Sequence, residues 1–262
     1  MSQFEPLHSV RALDGGMREP TGEAPDDLHR HWAVVMAGGR GSRLGAMTSE
    51  KPKPLVEIGG VPVVERVISD FSAAGVGRVF VSVNYLADQI IDRLGDGRRF
   101  SASVRYLREE EPTGTAGSLA LLPGRPPAPF FVMNADILAD IDFSAMMRRH
   151  IASGAALTLA AREVRETLEY GVLDIEAGRV ARVREKPVET YSINAGVYVF
   201  DPKVLDFVGA TARRYDMTDL IDDLLVADRR VEAYPLTGYW RDIGRPEDVE
   251  QANLDFAARR AG

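Results

Sequence analysis

The chain predicts an α/β fold: a mostly parallel sheet with helices on both faces and a β-rich insertion in its second half. Three observations lead there. From Trp32 to Met133, short apolar runs alternate with amphipathic segments at helical spacing, the pattern of a parallel sheet. The first apolar run enters a turn with three glycines in four positions, Gly38-Gly39-Arg40-Gly41. After Asp136 the helical segments thin out and strand-like runs follow one another.

Taken in order, Trp32 to Ala37 reads as a buried strand. Val63 to Ala74 places Val63, Val64, Val67, Ile68 and Phe71 on one helix face, and Gly75 suits its C-cap. Arg78 to Val83 is a second buried strand, Leu86 to Leu94 a helix closed by Gly95, and Val104 to Leu107 a third strand. Gly117 to Leu122 opens a helix and Phe130 to Met133 forms the next strand. Right-handed crossovers put the loops after these strands along one edge, where ligands bind. Phe143 to His150 is a helix. Leu157 to Ala161, Gly171 to Ile175, Val180 to Arg184 and Asn194 to Phe200 are strands of an inserted region expected to pack on the sheet's far half. Asp216 to Ala227 is a helix, and Val231 to Tyr234 and Tyr239 to Arg241 are short strands. Pro246 to Ala258 closes the chain, with Glu247 and Asp248 in its first turn, where acidic side chains suit the helix dipole. Residues 1–30 mix Pro, Gly, acidic residues and His with little apolar periodicity, and read as a flexible arm or linker remnant. Within it Leu7, Val10 and Leu13 could make one anchoring turn; residues 31–262 form the domain.

Composition bounds the function. With 262 residues, 45% hydrophobic and 27% charged, the chain is ordinarily globular. A net charge of −7 argues against nucleic acid as the main partner. There is no cysteine, hence no disulfide or thiolate chemistry. No apolar run approaches a membrane span and no signal segment is legible, so a cytoplasmic location with no membrane partner is expected. A homo-oligomer is compatible with the sequence, which leaves the number of copies open.

The glycine turn carries the chemistry. A glycine-rich turn can take positive φ and aim backbone N–H groups at one point, which binds phosphate. Ala37, Gly38, Gly39, Gly41 and Ser42 form that cradle, and Arg43 adds a planar fork that matches phosphate oxygens. Lys53 adds a compact charge on a segment stiffened by Pro52 and Pro54. A Walker loop is excluded, because Gly41 is followed by Ser42-Arg43 rather than Lys-Ser/Thr. A dinucleotide fingerprint is disfavoured by Leu44 at its third glycine and by Asn84, not an acid, ending the second strand. A bare strand-to-helix turn explains a glycine or two but not Arg43, Lys53 and the prolines together.

Four further segments matter. Glu111 to Ser118 sets glycines around small hydroxyl residues before a helix, a loop able to admit a flat base. Asn134-Ala135-Asp136 puts a carboxylate on the ligand edge, with capping of the next turn as the alternative. Asp242, in Trp240-Arg241-Asp242-Ile243-Gly244, could likewise be a helix N-cap. Glu185-Lys186-Pro187 followed by Asn194-Ala195-Gly196 would, on its own, usually be solvated surface.

Together these segments resemble the nucleotidyltransferases that make nucleoside-diphosphate sugars. The family signature is Gly-Gly-x-Gly-x-Arg-Leu with Pro-Lys-Pro-Leu, then Pro-Leu-Gly-Thr-Ala-Gly, Asn-Gly-Asp, Glu-Lys-Pro, Asn-Ala-Gly-x-Tyr and Trp-x-Asp-Ile-Gly-x-Pro. The match runs from about Ala33 to Asn253. It departs at Ala46-Met47-Thr48, Thr113 and Ala135, none of which is a charge contact. The resemblance is greatest to bacterial guanylyltransferases of mannose, glucosamine or heptose 1-phosphate.

It implies a Rossmann-like, GT-A type three-layer fold and transfer of a nucleoside monophosphate from a triphosphate, GTP foremost, to a sugar or sugar-like 1-phosphate. Gly39, Gly114, Thr115 and Ala116 would line the base. Asp136 and Asp242 would bind Mg²⁺ as the cofactor. Arg43 would hold the β,γ-phosphates, Lys53 and Lys186 the incoming phosphate, and Gly171, Glu185 and Asn194 the sugar. Arg43, Lys53, Asp136, Lys186 and Asp242 would carry the reaction by positioning and charge neutralisation. Alternatives are a regulatory paralogue that binds without turnover, the same chemistry with UTP, dTTP or CTP, and a nicotinamide-dependent dehydrogenase. The sugar is not named by the sequence.

Overall fold

The computed structural model describes residues 28–209 and 214–261. Most of the expected arm, including Leu7, Val10 and Leu13, lies outside them. Of its last residues Leu28 is buried in the core, and His31, the first residue of the domain, bonds through Nδ1 to the Pro129 carbonyl at 2.6 Å.

Strand β1 (Trp32–Met36) leads into a 3-10 segment, Ser42–Thr48, and a 3-10 turn, Lys53–Leu55. A small hairpin, β2 (Glu57–Ile58) and β3 (Val61–Pro62), precedes helix α1 (Val63–Ala73). Next come β4 (Arg78–Val83), α2 (Ala87–Leu94), β5 (Ser103–Arg108), a 3-10 turn Gly117–Leu121 and β6 (Phe130–Asn134). Then follow β7 (Ile137–Ala139), α3 (Phe143–Ser153), β8 (Leu157–Thr167), β9 (Val172–Glu176), β10 (Arg179–Arg184) and β11 (Val188–Phe200). The chain closes with α4 (Leu205–Val208), α5 (Met217–Val226), β12 (Val231–Pro235), β13 (Trp240–Asp242) and α6 (Pro246–Ala261).

One seven-stranded sheet runs β12-β8-β11-β6-β1-β4-β5. Its pairings are parallel except those of β11 with β6 and β8. The central strands read as unbroken apolar runs because both faces are covered. Ala33, Val35, Val81, Phe131 and Met133 point to one face, against Ile68 and Phe71 of α1, Ile90 of α2 and Met146 of α3. Val34, Phe80, Phe130 and Val132 point to the other, against Leu119, Tyr215 and Leu220. Full burial of one such side chain is worth about 1.5–3 kcal/mol, so the two layers dominate stability.

The strands after Asp136 differ from expectation. They do not form a separate inserted unit, because β8, β11 and β12 extend the main sheet. Val197–Phe200 is buried on both faces, so it must lie inside the sheet. The β9–β10 hairpin stands apart with most of its residues exposed, and β7 and β13 pair with each other outside the main sheet. A third cluster, Leu44, Val56, Ile58, Val63, Leu138, Ile243, Val249 and Ala252, ties the glycine turn and the β2–β3 hairpin to α6.

Candidate active site

The site lies where β1, β4 and β6 end. The three glycines after β1 serve three different ends. Only Gly41 has a left-handed φ, +64°. A Cβ there would stand 2.7 Å from Lys53 Cβ, so Gly41 lets the lysine stem pass directly beneath the turn. At Gly38 a Cβ would stand 2.7 Å from Glu109 Oε1, whereas Gly39 has open space around it. Thr48 closes the loop by donating its hydroxyl to the Gly41 carbonyl at 3.0 Å.

Routed in this way, Lys53 is 7% exposed, and its ammonium bonds to Asp136 Oδ2 and stands 3.7 Å from Asp242 Oδ1. The two aspartates, over a hundred residues apart, meet through a short antiparallel ladder. β13 pairs with β7 so that Asp242 lies opposite Ile137, and the Ile243 amide donates to the Asp136 carbonyl at 2.9 Å. Asp242 is no helix cap: its Oδ1 is buried without a hydrogen bond, while Asp248 Oδ2 takes the Gly244 and Arg245 amides. Burial first, and the Asp136 charge second, push the Asp242 carboxyl above the ordinary aspartate range; Lys53 and Arg43 pull the other way. Two mutually repelling carboxylates, one with an orphaned oxygen, form a site that a divalent cation relieves. Mg²⁺ commonly takes one or two carboxylates and fills the rest of its shell with phosphate and water, so this donor set fits it. Among the described residues no cluster of three or more metal-ligating side chains offers an alternative.

Asn194 reaches the same region through a distortion of β11. The register with β8 shifts between Asn194 and Tyr198, and Gly196 sits at φ +75°. A Cβ on Gly196 would stand 2.9 Å from Asn134 Nδ2, and Trp240 Nε1 donates to the Ala195 carbonyl at 2.9 Å. Asn194 accepts from the Gly196 amide and bonds the buried Tyr198 hydroxyl, whose pKa burial pushes up to about 12.

Gly171 and Glu185 face each other at the end of the β9–β10 hairpin, where a Gly171 Cβ would lie 3.1 Å from Glu185 Oε2. Lys186 is exposed, pairs with Glu169 at 3.2 Å and holds a left-handed φ of 42°. Lys186 is therefore not among the charges that gather around Asp136 and Asp242. Its left-handed backbone conformation costs energy for a non-glycine residue.

Several amides of the base loop are engaged within the protein. Thr115 N–H donates to Asp216 Oδ1 at 3.0 Å, and the Ala116 and Gly117 amides donate to the Tyr215 carbonyl. Ala116 is fully buried, and a Cβ on Gly114 would stand 2.5 Å from the Tyr215 carbonyl oxygen. These glycines thus accommodate the Tyr215–Asp216 strap. That strap was invisible in sequence, because the contact spans a hundred residues. Glu109 was missed as well. It is 9% exposed and accepts from Thr113 N–H at 3.0 Å, Thr113 Oγ1 at 2.6 Å and Ser82 Oγ at 3.3 Å. The signal available was a carboxylate just past the Val104–Leu107 run, the same cue that exposed Asp136.

Comparison with known proteins places the chain in a family. The family model described as nucleotidyl transferase matches residues 32–259. The chain is 34% identical over 225 residues to a mannose-1-phosphate guanyltransferase of Schizosaccharomyces pombe, and 35% over 224 residues to that of Candida albicans. Each alignment covers 82% of this chain but 61% of the relative, so the chain spans under two thirds of their length. The solved structure of HddC from Yersinia pseudotuberculosis, complexed with GMP-PN, superposes with a TM-score of 0.65 at 28% identity, covering 86% of this chain and 99% of that one. A family model spanning nearly all the described residues, and a sheet whose ligand edge carries Arg43, Lys53, Asp136 and Asp242, leave one assignment: the chain belongs to the nucleotidyl transferase family.

Proposed function

We propose that this chain transfers GMP from GTP to a sugar 1-phosphate, with mannose 1-phosphate the first acceptor to test. The observation that carries the reading is the meeting of Asp136 and Asp242 around Lys53, beside Arg43 and the glycine turn. A phosphate oxygen of the sugar 1-phosphate attacks the α-phosphorus in line. The new P–O bond forms as the α–β bridge breaks, and pyrophosphate leaves. The attacking oxygen is already ionised at neutral pH, so no general base is required.

Asp136 and Asp242 would hold Mg²⁺, which neutralises phosphate charge. Arg43 grips the polyphosphate, and its rigid fork fixes the departing group. Lys53 is positioned to pass from the carboxylates to a phosphate. Glu109, between Gly38 and the base loop, suits guanine, whose N1 and N2 donors match a carboxylate; adenine offers an acceptor at N1. A buried carboxylate left facing that acceptor disfavours the wrong base. The relatives' names support the guanine reading and suggest mannose. The nucleotide substrates support a cytoplasmic location; among the described residues no helix is long and apolar enough to cross a membrane.

The test is pyrophosphate release across a matrix of nucleoside triphosphates and sugar 1-phosphates with Mg²⁺. GTP should exceed ATP by at least about ten-fold in kcat/KM, the effect of one net hydrogen bond or more. No release with any pair refutes the catalytic reading, and equal use of GTP and dTTP refutes the guanine assignment alone.

A further inference from the structure

We propose that Arg245 is a second guanidinium clamp on the pyrophosphate half of the nucleotide, acting with Arg43; this rests on the nucleotidyl-transfer reading above. A cavity of about 370 Å³ is lined by Arg43, Arg241, Asp242, Gly244, Arg245 and Asp248, together with Trp240. Its charges are not equivalent. Arg241 is committed, pairing with Asp255 at 3.1 Å and bonding the Tyr239 hydroxyl at 3.3 Å. Asp248 is committed too, because its Oδ2 takes the amides of Gly244 and Arg245. Asp242 faces Lys53.

Arg43 and Arg245 remain. Both are exposed, and among the described residues neither guanidinium has a hydrogen bond or a carboxylate partner within ion-pair distance. They reach the cavity from elements far apart in the chain, the Ser42–Thr48 segment and the start of α6. The helix dipole does not supply the positive charge at that end, since Glu247 and Asp248 already occupy its first turn. Arg245 supplies it. Two forks converging on one cavity suit a diphosphate, which offers several oxygens for bidentate bonds. A chain of net charge −7 also needs local positive charge to receive a polyanion.

The experiment uses the full chain with Arg245→Gln and Arg245→Lys. In the reverse reaction, Arg245→Gln should raise the KM for pyrophosphate about ten-fold and leave that for the sugar nucleotide within about two-fold, the scale of losing a charge-assisted bond. In the forward direction the KM for GTP should rise and that for the sugar 1-phosphate should not. Arg245→Lys should fall between, since it keeps the charge and loses the fork. Calorimetry with pyrophosphate, GTP and GMP provides a readout independent of turnover, with Arg245→Gln weakening the first two about ten-fold and GMP little. If the wild-type chain binds these ligands but does not turn over, the catalytic reading fails while the clamp is still decided by binding. Unchanged affinities, equal weakening of GMP, or a shift confined to the sugar 1-phosphate overturns the clamp. A wild-type chain that binds no phosphate ligand overturns both.

Discussion

Replacing Lys53 by methionine isolates what the buried ammonium does for the two aspartates. Methionine keeps an unbranched stem, so the packing beneath Gly41 is preserved and mainly the charge is lost. Removing one partner of a fully buried ion pair costs about 3–5 kcal/mol, whereas exposed pairs are worth about 0–1 kcal/mol. Lys53 has a side chain 9% exposed, but Asp136 is 27% and Asp242 40% exposed, so solvent screens much of the loss. A figure of about 2 kcal/mol follows, essentially from the Asp136 contact, and corresponds to a Tm about 4–8 °C lower for a domain of this size. The deficit depends on pH. Asp242 already has a raised pKa, so its ionised form costs stability once pH rises through its folded-state value, and removing Lys53 enlarges that cost. The Tm gap between variant and wild type should therefore be wider at pH 8 than at pH 5. Mg²⁺ held by Asp136 and Asp242, as proposed, would compete with Lys53 for the carboxylates in the wild type and meet no such competitor in the variant. Thermal melts with and without millimolar Mg²⁺ should show the larger gain in Lys53→Met. A variant that melts with the wild type at both pH values, or gains nothing more from Mg²⁺, refutes the argument.

Three other outcomes are expected. Gly41→Ala places a side chain at a left-handed φ and 2.7 Å from Lys53 Cβ; strain of about 1–2 kcal/mol plus overpacking of about 1–3 kcal/mol should lower Tm and pull Lys53 from the aspartates, seen as loss of turnover. Asp136→Asn and Asp242→Asn should each cut turnover at least about a hundred-fold, with the double variant far from additive in steady-state kinetics because both act at one centre; additive losses would separate their roles. His150, buried with Nδ1 2.9 Å from Thr158 Oγ1, has its pKa lowered by burial to about 4. The unfolded chain takes up that proton first as pH falls, so stability should drop by up to about 3 kcal/mol between about pH 6.5 and 4. His150→Gln should flatten that part of the denaturation profile, and an unchanged slope would assign the loss elsewhere.

Much of the molecule was legible in the residues themselves. Apolar runs such as Val79 to Val81 and Phe130 to Met133 marked buried strands, because a strand covered on both faces needs no polar residue. The helix of α1 and its glycine stop followed from spacing alone. Arg43 and Lys53 could be named because charge beside a glycine turn is rarely idle, whereas Asp136 and Asp242, each open to a capping reading, were named through the resemblance. Long-range geometry was not legible. Periodicity says that Leu157 to Ala160 and Val197 to Phe200 are buried, but not that they join the first sheet rather than a second one. Nothing local shows that Lys53 threads beneath Gly41 to bridge two carboxylates, that the Tyr215–Asp216 strap takes the base loop's amides, or that Arg245 opens onto the cavity of Arg43. Local sequence sets propensity and the side chains each strand end offers. Which of those ends share a space depends on the β7–β13 ladder and the β11 register shift, and these form only once distant segments have closed on one core.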